Sequence, residues 1–495
     1  MRRQLLMNVV IVLLAPAAAF PQGGACRPVS GGRSAAEWLT RARTAVGLAR
    51  AGQRVLSFHA IQGENQDYES DRTYPPYFSS FQSVEGWLDP GSRVERYSAR
   101  TTFQGVDAVA GPAVIENERT AVVIRDTIST PSPEVRGAAL QARGLDPWAV
   151  LLDWSADAGV KVESRCPYRD YDRVVLARRG PFGEERLFLT EGAVPVKLDR
   201  IEPHYLWGQQ HAEYLYSTWT LSDSTAFPGS AIRLADGQVI TTRTYGAFHL
   251  TPRDSAPALA LSAPDLPIKS PRFLQALPPD TLRISPTTVV LHNPGYNETI
   301  TLARDTVFVF DATQSDDRAR QDSTFIARFF PGRHPVVLVV TDLAWPHVSG
   351  VRFWVASGAT IVSHRASREF LEQVVARRWT LAPDKLERTR GRAKLRFRPV
   401  SDSLSLAGGE ITVHAIDGIG SEGALIAYVR EARFLWASDY IQDLQNPTLY
   451  ALEVWRAAAR AGLAPERVDA EHIPITPWSK IHDLVGGLDV EGRAE

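Results

Sequence analysis

An α+β protein, with a mainly antiparallel β domain ahead of a strand-and-helix domain, is predicted by three observations on this 495-residue chain. Its length exceeds what one core fills, since hydrophobic cores stop growing at about 250 to 300 residues. A long strand-like stretch gives way to a proline-rich segment between Thr251 and Asp280, which holds seven prolines. Beyond it, strand and helix signals alternate, the pattern of strands covered by helices.

The elements follow in order. Arg2 and Arg3 precede a mostly apolar run from Leu5 to Leu14, and Ala17, Ala18 and Ala19 offer a small-residue cleavage site. Residues 1–19 therefore read as an export signal, with removal before Phe20, and the expected location is the periplasm or the medium. The apolar run is shorter than the roughly 18 to 20 residues a spanning helix needs. No later segment is long and apolar enough to span, so no transmembrane segment is expected after signal removal.

Residues 30–250 form the expected β-rich domain. Ser34 and Glu37 make a capping box that opens a helix running toward Ala51. Strand-like segments follow at Val55 to Ile61, Arg93 to Ala99, Ala121 to Asp126, Val174 to Arg178, Arg186 to Thr190, Tyr214 to Leu221 and Ile240 to Leu250. Asp236 and Gly237 signal a hairpin turn. Asp146 followed by Pro147 signals the start of an interrupting helix.

Residues 251–283 read as a linker. In residues 284–495, strands are expected at Thr306 to Phe310, Val336 to Val340 and Thr360 to Ser363. Helices are expected at Asp316 to Phe330, Val351 to Ala356 and Ser367 to Ala376, with a last one capped by Asn446 and Pro447 and running to Gly462.

Charge narrows the partners. Lys and Arg number 55 against 56 Asp and Glu, so no electrostatic ground exists for nucleic acid as a partner; an unidentified small molecule is expected instead. Cys26 and Cys166 are the two cysteines. In an oxidising compartment they can pair, but sequence leaves their separation open. A metal site would have to use His, Asp and Glu.

Two resemblances bear on function. The strand-rich first part loosely resembles the open half-barrels of periplasmic lipoprotein carriers of the LolA type, without a shared motif. From Leu291 onward the chain resembles the metallo-β-lactamase superfamily. Asn293 to Asn297 and the strand ending at Asp311 match that family's opening hairpin and aspartate-terminated strand. Val336 to Thr341 matches the strand that delivers its His-x-His-x-Asp-His loop. Gly418 to Tyr428 matches the third-motif loop, Phe434 to Asp439 the strand carrying the bridging aspartate, and Glu471-His472 the terminal histidine. The resemblance implies an αββα metallo-β-lactamase-like sandwich with a metal site along one edge.

The ligand loop departs from the pattern. Asp342 stands where the family has its first histidine, Ala344 the second and Pro346 the aspartate, while the third-motif histidine falls at Gly420. His347, Asp439 and His472 match family ligands. The resemblance thus implies the loss of one metal site and the retention of three ligands of the other, a set that could hold one zinc ion with an open position. Asp342 is then the candidate catalytic residue, accepting a proton from bound water.

Three readings follow. The first is a secreted pseudoenzyme that keeps the fold and binds a small molecule or partner without a metal. The alternatives are a mononuclear metallo-hydrolase with one zinc ion at His347, Asp439 and His472, and a periplasmic lipophile-binding protein governed by its first domain. Pro346, beside His347, is expected to favour extended geometry at Trp345. His364, His414, Asp417 and Glu422 are weaker candidates, better read as ordinary loop or core polar residues. The Gly-Ser-Glu-Gly run at 420–423 is not a nucleophile elbow.

Overall fold

The computed structural model describes residues 25–485, apart from 30, 67–71, 76–77, 104–105, 117–118, 125–126, 130–139, 169–170, 223–224, 257–278, 294–295, 314, 391, 418–420 and 446–448. The segment read as an export signal, most of the proline-rich segment, Gly420 and the expected Asn446-Pro447 cap lie outside the described residues. The chain is a mixed, strand-rich α+β protein.

The first part is one antiparallel sheet of 14 strands. One meander runs from Lys161–Tyr168 to Gln238–Pro252 and a second from Arg54–Gln66 to Thr127–Ser129. They join where Gln238–Pro252 pairs with Arg54–Gln66. The hairpin turn lies at Asp236-Gly237, with Ala235 paired to Gln238. Cys26 is disulfide-bonded to Cys166, beside the edge pairing of Arg27 with Arg165.

Helices Ala35–Ala45 and Pro147–Ser155 begin at the Ser34 capping box and the Asp146 cap. They bury Trp38, Leu39, Trp148 and Leu151 against one sheet face in a single apolar cluster. Strand side chains alternate between faces, so Leu198, Arg200 and Glu202 share that face, as do Leu56, Phe58, Ala60 and Gln62. Further along the strands it is charged. Glu202, fully buried, accepts from Arg200 and Arg233 and from the Tyr214 hydroxyl.

The second part carries a seven-stranded and a six-stranded sheet. In the first, Thr306–Phe310, Val336–Val339, Thr360–His364 and Arg396–Val400 run parallel in that order, connected through helices Asp316–Phe329, Val351–Ala356 and Arg368–Ala376. Alternation sends Val307, Val309, Leu338 and Ile361 into a cluster with those helices. Phe308, Phe310, Val339 and Val362 face the other way, into a cluster with Leu425, Ala427, Phe434 and Trp436 of the six-stranded sheet. The opposite face of that sheet, through Ile426, Tyr428 and Leu435, packs on helices Leu449–Arg460 and Trp478–Val485.

The two parts touch. Leu206 and Trp207, at the turn after Pro195–His204, are buried in the helical cluster of the second part, where Trp207 meets Phe370 edge-on. Arg377 donates to the carbonyls of Trp207 and Gln209. The strand Gln238–Pro252 reaches into the segment read as linker, and Asp280–Arg283 is already an edge strand of the seven-stranded sheet.

Candidate active site or binding site

The site collects where strands of the two sheets end. Asp311 follows Thr306–Phe310 with a left-handed φ of 66°, a conformation uncommon outside glycine. Its backbone N–H is held by the Val339 carbonyl. Its carboxylate accepts from the Thr341 N–H at 2.7 Å, the Thr341 hydroxyl at 2.5 Å and the Trp436 indole at 2.9 Å. Three donors fix this buried group in place.

His347 lies on the short helix Trp345–Val348. This corrects the expectation of extended backbone at Trp345: Pro346 occupies the first turn, where its missing N–H leaves no helical bond unmade. The helix is tied to the strand end by the bond from the Ala312 N–H to the His347 carbonyl and by that from the Gly350 N–H to the Ala312 carbonyl. Gly350 permits this approach, since a Cβ there would meet the Ala319 Cβ at 2.9 Å.

The imidazole is completely buried. Its Nδ1 is 3.3 Å from Asp311 and 3.2 Å from Glu471, and its Nε2 is 3.8 Å from Asp439. Glu471 follows the strand Arg467–Ala470 and is held through its N–H by the Ser438 carbonyl. Among the described residues, neither Glu471 carboxyl oxygen has a hydrogen-bond partner, nor does His347 Nε2. Burial alone would disfavour the imidazolium, but Glu471 and Asp311 together raise the His347 pKa well above its usual value. Burial pushes the Glu471 carboxyl well up, against the pull of His347. Both His347 and Glu471 are thereby shifted toward holding a proton.

Asp342 is also buried. It accepts from Ser421 Oγ at 2.6 Å, from the Tyr440 hydroxyl at 3.0 Å and from the Ala344 N–H at 2.8 Å. Tyr440 also donates to the Thr341 carbonyl. Burial raises the Asp342 pKa, opposed by His347 and reinforced by Asp439. Asp439 keeps 23% of its side chain exposed; against the upward push of burial, His347 and then His472 hold its carboxyl below the usual range. His472 is at the surface, edge-on to Tyr296 at 5.2 Å.

Of the four residues singled out from sequence, His347 and Asp439 face each other, Asp342 lies beside them in its own hydrogen-bond network, and His472 stands at the rim. The remaining candidates serve other ends. His364 caps the turn that follows it, His414 bonds Thr412, and Glu422 accepts from the N–H and hydroxyl of Thr73 in the first part.

Sequence reasoning passed over Asp311 and Glu471 as ligands, although both were landmarks of the register. Yet Asp311, His347 and Glu471 bring ligand atoms within 4.8 Å of one another and form a group able to hold a metal ion. An aspartate ending a wholly apolar strand was the available signal. As metal ligands these three fit poorly, because Asp311 already accepts three hydrogen bonds and His347 offers both carboxylates the same nitrogen.

No family model matches the chain, and no curated protein does. Solved structures do. The likeness is to metallo-β-lactamases. The DIM-1 enzyme is 12% identical, over 43% of this chain and 97% of its own, with a TM-score of 0.33. The enzyme from Pontibacter korlensis is 14% identical, over 43% of this chain and 100% of its own, at 0.32. That from Erythrobacter litoralis, with β-mercaptoethanol in its active site, is 14% identical, over 42% and 98%, at 0.31.

Proposed function

We propose that the protein is an exported binding protein whose second part is an αββα metallo-β-lactamase-like sandwich that has exchanged metal chemistry for a hydrogen-bonded, protonated cluster. The three apolar clusters interleaved with two sheets support the sandwich. The Cys26–Cys166 disulfide supports an oxidising compartment and hence export.

One observation carries the non-hydrolytic reading. Asp342, in the place of the family's first histidine, is saturated by Ser421, which follows the position of the lost third-motif histidine, and by Tyr440, which follows the bridging aspartate. Asp342 is thus bonded by the neighbours of two family ligand positions, and an acid engaged by three donors is a poor base. At the second position the cation is the His347 imidazolium, flanked by Asp311 and Glu471.

A second reading retains one observation: His347 Nε2 is buried, lacks a hydrogen-bond partner and faces Asp439. A zinc ion there would draw on His347, Asp439 and His472 and would supply an activated water. Elemental analysis of protein purified without chelator, beside His347→Ala, separates the two. Absence of stoichiometric zinc, iron or manganese is expected. Near-stoichiometric metal that disappears in His347→Ala would overturn the binding reading in favour of a mononuclear hydrolase.

The lipophile-binding alternative gains no support from the first part. Among the described residues, the apolar region of its helix-covered face is packed by the two helices, and Arg200, Glu202, Arg233 and Arg243 are buried further along it.

A further inference from the structure

One lateral edge of the seven-stranded sheet has a chemistry of its own. Over residues 388–398 a cation stands at every second position, six in all with no acid among them, in a chain of net charge −1. Arg396–Val400 is the last strand of that sheet and, among the described residues, pairs only with Thr360–His364. An edge strand presents unpaired backbone N–H and C=O groups. Along residues 392–398 exposure alternates strictly. Ala393, Leu395 and Phe397 are half-buried at the margin of the helical cluster, where Arg368 stands over the Phe397 ring at 5.8 Å. Arg392, Lys394, Arg396 and Arg398 are exposed.

Little nearby answers that charge. Arg388 donates to the Pro383 carbonyl and Arg396 to the Gly358 carbonyl, and Arg390 shares Glu387 with Arg378. Among the described residues, Arg392, Lys394 and Arg398 have no carboxylate partner.

Three kinds of occupant differ in what they satisfy. A second copy of this edge would set cation opposite cation, which is destabilising, and charged edges commonly guard sheets against self-pairing in this way. A membrane of anionic lipid would answer the charge but leave the open backbone and the apolar margin unused. An extended acidic segment answers all three. Added as a strand, it supplies backbone partners, carboxylates opposite the cations at a repeat of about 6.6 Å, and apolar side chains beside Leu395 and Phe397. Pro399 has no N–H to donate, so the stretch able to donate ends at Arg398.

We propose that residues 392–398 bind, by strand addition, an extended segment of a partner polypeptide in which acidic and apolar residues alternate. This surface goes beyond the reading of the His347 cluster and does not depend on its metal content.

The test uses the full-length mature protein near neutral pH and, as probe, a blocked, fluorescently labelled octapeptide of alternating glutamate and valine, read by anisotropy. Saturable binding that weakens with added salt is expected. Methylating the amide nitrogens of the peptide keeps its charge but removes the donors for strand pairing, and should abolish binding. Arg396→Gln combined with Arg398→Gln should weaken it by about 2- to 30-fold, the worth of two cross-strand ion pairs, with the circular dichroism spectrum unchanged. A methylated peptide that binds as well as its parent, an octapeptide of alternating lysine and valine that does so, or unchanged binding by the double variant overturns the proposal. So does capture of the protein by phosphatidylglycerol vesicles without a saturable peptide response, which would assign the cations to a membrane surface, and so does silence from both probes.

Discussion

Replacing His347 by leucine removes the positive charge from the centre of the cluster while keeping a similar volume, so the packing cost is small, under about 1.5 kcal/mol. The electrostatic cost is larger. His347 lies 3.3 Å and 3.2 Å from the buried carboxyls of Asp311 and Glu471, and breaking a buried ion pair by removing one partner costs about 3–5 kcal/mol. In a body of some 200 residues that lowers Tm by roughly 6–20 °C. The pH dependence distinguishes this charge effect from lost packing. The His347 pKa is raised well above its ordinary value, so the folded state holds that proton where the unfolded chain releases it. Its contribution is fully present below the unfolded pKa and persists until pH rises through the folded one. Thermal unfolding followed by circular dichroism at about pH 5 and about pH 8 should therefore show a wide gap between wild type and His347→Leu at the lower pH and a narrower one at the higher. A gap of equal size at both would refute the imidazolium account.

Two further perturbations probe the frame around the site. Asp469 is buried between the Asn297 amide and the Thr299 hydroxyl, and burial pushes its carboxyl up to about 7 despite those bonds. A raised acid weakens the fold as pH climbs from its unfolded value through its folded one, here from about 4 to about 7. Asp469→Asn should flatten the wild-type decline across that window, by at most about 4 kcal/mol, in urea titrations at a series of pH values; an unchanged slope would contradict the assignment. Trp207→Ala empties a slot in the helical cluster of the second part at a cost of about 3–5 kcal/mol. Limited proteolysis should then cut near residues 205–209 faster, and an unchanged rate would mean that the turn does not anchor one part to the other.

Legibility from sequence differed between the two parts for a physical reason. In the second, strands flanked by apolar layers are short hydrophobic runs, and Val336–Val339, Val351–Ala356 and Thr360–His364 stand within a residue of where the pattern put them. In the first, the capping box, the Asp146 cap and the Asp236-Gly237 turn were readable because each is local chemistry. The strands Phe78–Asp89 and Pro195–His204 went unread. Inward positions such as Ser80, Arg200 and Glu202 are polar yet buried, which erases the apolar alternation that marks a strand.

At the site, His347 and Asp439 were visible through the register of the chain. The roles of Asp311 and Glu471 depend on burial, which no local pattern carries. Asp342 looked like a proton acceptor because its partners, Ser421 and Tyr440, lie 79 and 98 residues away.

The seam of the 14-stranded sheet also governs the order of assembly. Arg54–Gln66 leaves the ribosome early, yet its neighbour Gln238–Pro252 follows almost two hundred residues later. Until then one long edge of the meander that begins at Arg54–Gln66 is bare backbone, able to pair with any passing strand. Contacts so distant along the chain slow folding, so a chain of this design would benefit from an escort that shields that edge until the closing strand arrives.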